Sequence, residues 1–388
     1  MGRTVIIPII PPIAREFGAS DVTIGGLVAG FGLSRVILDL PIGAIVQKAR
    51  PKRMMLISIL LILVSAIIGG TASNITTLFI ARFIEGAGSS LFFITELSVI
   101  GRLTTPKHRG RTMSLVSSLI EIGFLLGPAL GGVAATIGGI RAPFLVYSII
   151  AVIAIVGLQL NRGLPTEPEE TGLEVTINLE IFKKLLTDKN MVIVNLATFA
   201  LFLGRTGVMF TAIPIFAYDN LAVSELLLGG ILTIGAIPAF LLLIPSGYLS
   251  DRYGRKPMVM LALLSSAVTI ALIPRAGSFE QFTFFIILYG ATTGLIGPTP
   301  AWFLDVTPTH LRGAAMGMYR FFNDLGLATG PLMVGLLLQM SRTDRVQSLP
   351  FDVSAMVLIV FGLLLLKARD PVGELRKRER KEKQEQAP

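Results

Sequence analysis

The segment PSGYLSDRYGRKPM, residues 245–258, repeats PIGAIVQKARPKRM, residues 41–54, at a distance of 204 positions. Pro41, Gly43, Lys52 and Met54 return as Pro245, Gly247, Lys256 and Met258. Farther along, Thr105-Pro106, Arg109-Gly110, Met113, Gly123 and Gly127-Pro128 return as Thr307-Pro308, Arg312-Gly313, Met316, Gly326 and Gly330-Pro331, shifted by 202 to 203. A shift held nearly constant over both blocks marks a duplicated unit. Each copy of the basic segment separates two long apolar runs. Two similar multi-span halves are the architecture of a secondary transporter, with its site between the halves.

The composition agrees. Of 388 residues, 52% are hydrophobic and 15% charged, with a mean hydropathy of +0.73. Soluble domains carry roughly 25% charged residues, so the surface is built for lipid. Forty glycines suit membrane helices, where small residues let backbones approach. The net charge of +9 reads as membrane topology and argues for no nucleic-acid partner. The chain has no cysteine, so disulfides and thiolate metal sites are excluded.

Apolar runs lie near 22–46, 54–71, 77–100, 112–137, 142–160, 191–217, 226–249, 258–274, 280–304, 313–340 and 351–366. A shorter stretch, Val5 to Ile13, precedes them and carries Pro8, Pro11 and Pro12. Its nine residues cover roughly half of a 30 Å hydrocarbon core. With this stretch as α1 the runs become α2 to α12, an all-helical membrane protein of two six-helix bundles. The expected division is 1–160 for the first bundle with a short α1, 161–190 for a central loop, 191–367 for the second bundle and 368–388 for a basic tail. The half-length α1 predicts either apolar residues preceding Met1 in the native chain or a truncated copy. The tail, with almost no apolar residues, is expected to be dispensable from residue 371 onward.

Lysine and arginine sort sharply between the two sides: 24 flank the spans on one side, including Lys48, Arg102, Lys189 and Arg255, against five on the other, Arg15, Arg141, Arg275, Arg342 and Arg345. The basic side is expected to be cytoplasmic, with the central loop and C-terminus inside, in a plasma membrane. Charge within the spans is sparse and therefore informative, because it costs a few kcal/mol or more unless it faces protein or water. The deep residues are Arg35 and Asp39 in α2, Arg82 and Glu85 in α4, Glu121 in α5, Arg205 in α7, and Arg320 and Asp324 in α11. The interiors of α3, α6 and α9 have none, and α12 has only Asp352 at its start. Every third helix should then face lipid while the charged ones surround a polar cavity.

Arg35 and Asp39, like Arg320 and Asp324, stand four apart, and Arg82 and Glu85 three apart, so each pair fits one helix face. Such pairs either neutralise each other to hold the bundle or line a substrate and proton pathway. Glu121 has no cation at helical spacing and is the best candidate for a proton-binding group, the alternative being a structural pair with Arg205 or another arginine across the cavity. Arg205 is set to bind an anionic substrate or a carboxylate from the other half.

Gly247-Tyr-Leu-Ser-Asp251-Arg252-Tyr-Gly254-Arg255-Lys256 resembles the signature loop of the major facilitator superfamily. The first-half copy is degraded, with Gln47 in place of the aspartate and Arg50-Pro51 in place of the Gly-Arg step. In that family the aspartate is linked to switching between states, which the resemblance assigns to Asp251 and puts in doubt at Gln47. Arg82-Phe-Ile-Glu85-Gly86-Ala-Gly88 is similar to the family's fourth-helix motif, whose arginine is associated with proton coupling. Gly123-Phe-Leu-Leu-Gly127-Pro128-Ala-Leu-Gly131-Gly132 resembles the fifth-helix motif of its drug:proton antiporter branch. As residues, these glycines make a packing groove and Pro128 a kink. Asp305 fits the family's acidic position before α11.

Together these features predict a monomeric secondary transporter that alternates access, with proton-coupled efflux of a small organic compound as the leading reading. Its partners would be that small molecule, protons and the lipid bilayer. Proton-linked uptake of a sugar or organic acid, and a non-transporting sensor or scaffold, are the alternatives. The sequence shows no HExxH, P-loop, GxSxG or metal-ligand cluster, so no enzyme, metal or cofactor is expected. His108 and His310 occupy matching loop positions.

Overall fold

In a computed structural model of the chain every regular element among the described residues is helical. The structure describes residues 2–104, 106–161, 163–164, 183, 185–307, 311–344 and 347–374. Most of the central loop, and the tail beyond Glu374, lie outside the described residues.

α1 comes in three pieces, Gly2–Val5, a 3-10 turn Ile7–Ile9, and Ile10–Glu16. Its prolines lack the amide donor that a continuous helix needs, which accounts for the break. The first bundle continues with α2 Asp21–Lys48, α3 Pro51–Gly70, α4 Ile75–Leu103, α5 Pro106–Gly138 and α6 Ala142–Leu160. The second holds α7 Lys189–Leu221, α8 Glu225–Tyr253, α9 Arg255–Leu272, α10 Phe279–Asp305, α11 Arg312–Asp344 and α12 Leu349–Leu364. Eleven helices among the described residues are long and apolar enough to cross a membrane. Leu60 and Val64 of α3, Ile149 and Ile153 of α6, Leu261 and Val268 of α9, and Val360 and Leu363 of α12 are exposed, so these helices turn apolar faces outward as expected.

The duplication is visible in contacts. Ser20 caps α2 by accepting from the Thr23 amide, and Ser224 caps α8 by accepting from the Leu227 amide. The repeated lysine does the same work twice. Lys52 donates to the Gln159 and Asn161 carbonyls at the end of α6, and Lys256 to the Leu366 and Ala368 carbonyls at the end of α12. A cation there satisfies carbonyls left open at a helix C-terminus.

The glycines of α5 make two grooves. A Cβ at Gly127 would strike Thr4, and one at Gly131 would strike the Val5 carbonyl, so α1 lies in the first groove; Thr4 Oγ1 also donates to the Gly123 carbonyl at 2.8 Å. A Cβ at Gly132 would meet the Glu225 carbonyl at 2.6 Å, and one at Gly229 would strike the Pro128 carbonyl, so α8 lies in the second. The second half repeats the pattern: Gly326 and Gly330 of α11 pack on α7, and Gly25 and Gly335 bring α2 against Pro331.

Two seams, α2 with α11 and α5 with α8, therefore join the halves, and both close on the sparsely charged side. Ile24, Leu27, Val28 and Phe31 of α2 are buried there, whereas Ile37, Leu40 and Ile45 nearer the basic side are exposed. In α8, Leu228, Ile231 and Leu232 are buried, and Leu241, Ile244 and Tyr248 exposed. The halves are packed at one end and parted at the other.

Candidate functional site

Between the seams, at the level where the packing stops, lies a pocket walled by α5, α7, α8 and α10. Glu121 and Phe124 reach it from α5, Arg205 and Met209 from α7, and Tyr289 and Thr293 from α10. Its mostly apolar wall with a few convergent polar groups is of the kind that takes an organic molecule. α7 switches to a π-helical turn over Val208–Ala212 beside it. Such turns recur at functional sites because the extra residue re-aims the side chains that follow. Here Thr211 is fully buried with its hydroxyl unpartnered.

Glu121 is not alone. A carboxylate oxygen lies 3.6 Å from Nη2 of Arg205, longer than a hydrogen bond. Arg205 spends its planar face instead on Phe124, 4.8 Å from the ring centroid, and its buried Nε has no acceptor. Phe124 stacks on Phe210 at 6.3 Å, and Arg3 of α1 lies over Phe210 at 5.0 Å and over Phe31 at 4.3 Å. Arg3 escaped the sequence reading because α1 read there as a stub beginning at Val5.

The deep charges of α2 and α11 pair differently from their spacing. Arg35 donates to both oxygens of Asp324, at 2.7 and 3.3 Å, and Arg320 to both oxygens of Asp39, at 2.5 and 3.2 Å. The two helices run antiparallel, so the two Arg-x-x-x-Asp faces match end to end as a ladder across the seam. The in-helix pairs expected from the i,i+4 spacing are thus displaced, and only Arg320 to Asp324 persists, at 3.6 Å. Two bidentate forks beat the single contacts available within one helix. Asp324 is fully buried, and Ser89 and Ser90 of α4 bond Arg35 and Asp39.

Arg82 and Glu85 pair within α4 as expected and are buried. Arg82 also donates to the Leu27 carbonyl, and the Tyr147 hydroxyl donates to Glu85 at 3.1 Å. Both charges are satisfied inside the first half, away from the cavity.

A second inter-half network stands at the closed end. Arg15 donates to Asp219 at 2.7 Å and to Asp21 at 3.5 Å, and Arg342 bonds Asp21 at 3.1 Å and also Asp219. It ties α1, α2, α7 and α11 together. Asp21 and Asp219 were missed by a search confined to span interiors, yet Arg15 and Asp219 stand 204 apart, on the repeat itself.

The second-half loop closes on its own half. Arg255 pairs with Asp251, donates to Asp305 at 3.0 Å and to Ser250 at 2.6 Å, and Arg252 lies over Tyr253. Gly254 has φ +104, a region that favours glycine, and its backbone faces Asp370. Gly247 has open space beside it. Asp370 is buried and accepts from the amides of Lys256 and Gly373 at 3.0 Å, while Trp302 donates to the Arg369 carbonyl at 3.1 Å. The chain after α12 is therefore docked through these residues rather than loose from 368. A cut at 371 removes Gly373, one of the donors to Asp370.

A duplicated helical membrane protein with a central cavity and charged seams defines a transporter fold. The sequence model of the Major Facilitator Superfamily matches residues 1–218 and again 194–387, and the chain belongs to that superfamily. Multidrug resistance protein 2 of Bacillus subtilis is 26% identical over 372 residues, covering 94% of this chain and 91% of that one. Quinolone resistance protein NorA of Staphylococcus aureus is 23% identical over 344 residues, covering 87% of this chain and 86% of NorA. Among solved structures, a D-xylose-proton symporter superposes with a TM-score of 0.77 at 17% identity over 94% of this chain and 93% of its own. An inward-facing bacterial homologue of the lysosomal transporter Spinster gives 0.72 at 15% identity, over 97% and 93%. The resemblance to the drug-exporting branch is thus matched by the relatives' names, and the superpositions establish the fold.

Proposed function

We propose that this protein is a secondary active transporter that exports a small organic compound in exchange for protons by alternating access. The observation that carries the reading is the asymmetry of packing: the halves meet at one end, part at the other, and enclose a cavity where the contact ends. With the basic side cytoplasmic, this is the state open to the inside and closed outside, in a plasma membrane. Opening outward requires the Arg15, Asp21, Asp219 and Arg342 network to break. It also requires the α2/α11 ladder to slip or part, whereupon the i,i+4 spacing lets each helix neutralise its own charges. Glu121 carries the proton in this scheme, being the acid at the cavity with the weakest pairing. Arg35, Asp39, Arg320 and Asp324 hold the seam, and Arg82 with Glu85 holds α4.

The names of the multidrug and quinolone relatives favour efflux over uptake. The test is flux in proteoliposomes under an imposed pH gradient, with a fluorescent amphipathic dye as cargo. Proton entry coupled to dye exit supports the reading. Cargo and protons moving the same way would establish the uptake alternative, and binding without flux the sensor alternative.

A further inference from the structure

We propose that the cavity takes an organic anion, a carboxylate on an apolar or aromatic body, bound through Arg205 in the place that Glu121 now approaches. This rests on the reading of the cavity as the transport site and names the charge of its cargo.

The argument is the balance of charge. Among the described residues, the interior holds Arg3, Arg35, Arg82, Arg205 and Arg320 against Asp39, Glu85, Glu121 and Asp324. Glu96 lies about two turns from the basic end of α4 and is outside this set. Arg35, Arg320 and Arg82 are each held by a carboxylate at hydrogen-bond distance. What remains is the cavity pair Arg205 and Glu121, with Arg3 behind it on the faces of Phe31 and Phe210. Arg3 makes no ion pair among the described residues and rests on two aromatic faces. Arg205 rests on a third, with its acid at 3.6 Å and its buried Nε without an acceptor. A guanidinium stacked on a ring keeps its N–H donors pointing outward in its own plane, unspent. A guanidinium whose one carboxylate stands beyond hydrogen-bond distance and whose Nε has no acceptor is under-paired, and buried charge is costly until paired, so the site favours an anion that can reach the fork.

The geometry fits a carboxylate better than a lone inorganic ion. The planar fork of Arg205 matches a carboxylate bidentately. The adjacent wall of Phe124, Met209, Ile213 and Ile286 offers apolar surface to the body of the ligand. A cationic cargo would instead face Glu121 with Arg205 beside it and Arg3 behind the Phe210 ring.

Three probes with one ring system test the assignment: 1-naphthoate, 1-naphthamide and 1-naphthylmethylammonium, titrated calorimetrically into the full-length protein in detergent. Naphthoate is expected to bind about tenfold or more tighter than the amide, the usual worth of a charge-assisted bond, and the ammonium weakest. Arg205→Gln should abolish the preference for naphthoate, bringing its affinity down to that of the amide. Arg205→Lys, which keeps the charge and fold, should retain part of it. Glu121→Gln should tighten naphthoate by removing the competing carboxylate. The proposal is overturned if the ammonium binds tightest, if none of the three binds, or if folded Arg205→Gln keeps the preference. Tight ammonium binding accompanied by proton-driven flux of that probe would overturn the anion assignment alone. Absence of flux for every cargo tried, with binding intact, would instead count against the transport reading.

Discussion

The two seams between the halves occupy equivalent places in the repeat and have opposite characters. At α2/α11 the facing positions are Arg35 and Asp39 against Arg320 and Asp324. At α5/α8 the corresponding positions, one repeat away, are Ala239 and Leu243 against Ser117 and Glu121. Three of these four positions carry no charge, and Ala239 is part of the cavity wall. Where one seam fills its middle with two forked ion pairs, the other leaves space and one carboxylate. The leftover acid turns to Arg205 of α7, which is not part of the seam at all. An unequal distribution of charge over equivalent positions thus gives one seam suited to holding and one suited to binding.

Breaking the ladder should have the largest effect. Asp324→Asn leaves Arg35 buried against a neutral partner, which costs about 3–5 kcal/mol. Thermal unfolding in detergent should show a marked fall in Tm, and transport should be lost with it. The double variant Arg35→Gln with Asp324→Asn should recover most of that stability, since no unpaired charge remains. A double variant no more stable than the single one would mean that the ladder is not a coupled unit.

The other seam should respond in function rather than in stability. Glu121→Gln breaks a contact already too long for a hydrogen bond, so the expected stability cost is about 1 kcal/mol or less. Gradient-driven efflux should disappear while exchange of cargo for cargo persists. Unchanged pH dependence of transport would remove Glu121 from the proton pathway. A loss of stability as large as that of Asp324→Asn would erase the contrast between the seams. Ala239→Phe should act more mildly by filling part of the cavity. The affinity for cargo is expected to fall about tenfold with the ladder and Tm preserved. Wild-type affinity in that variant would place the binding site elsewhere.

Much of this contrast was legible in the sequence. The shift near 203 paired Glu121 with Asp324, and Ser117 with Arg320, and charge spacing separated outer from inner helices. The direction of pairing was not legible. An i,i+4 spacing shows that two charges share a helix face, but which helix lies opposite, and in which direction it runs, is a tertiary fact. The same limit hid Tyr147 from Glu85, whereas the pairing of Glu121 with Arg205 stood among the alternatives the sequence offered. Proline broke the helical pattern of α1, so Arg3 and Thr4 read as a preamble although the α5 glycines exist in part to seat them. At the end of α12, docking through a backbone carbonyl and a buried aspartate leaves no hydropathy signal at all.

The smallest equilibrium effect is expected at Asp251, outside both seams. Its side chain is 61% exposed and pairs with Arg255 on the same helix-turn-helix corner, inside the second half. Exposed pairs contribute about 1 kcal/mol or less, and Arg255 keeps Asp305 and Ser250 when Asp251 is neutralised. Asp251→Asn should therefore leave Tm and cargo affinity near wild type in the state seen here. The loop stands at the end where the halves are parted, so closing that end changes the surroundings of its charge. The effect is expected to fall on the rate of interconversion. Slowed turnover at unchanged binding is the expected result, measured as flux against equilibrium binding on the same preparation. Wild-type turnover would show that the seams alone set the switching rate, whereas a loss of affinity would show that the loop communicates with the cavity already in the parted state.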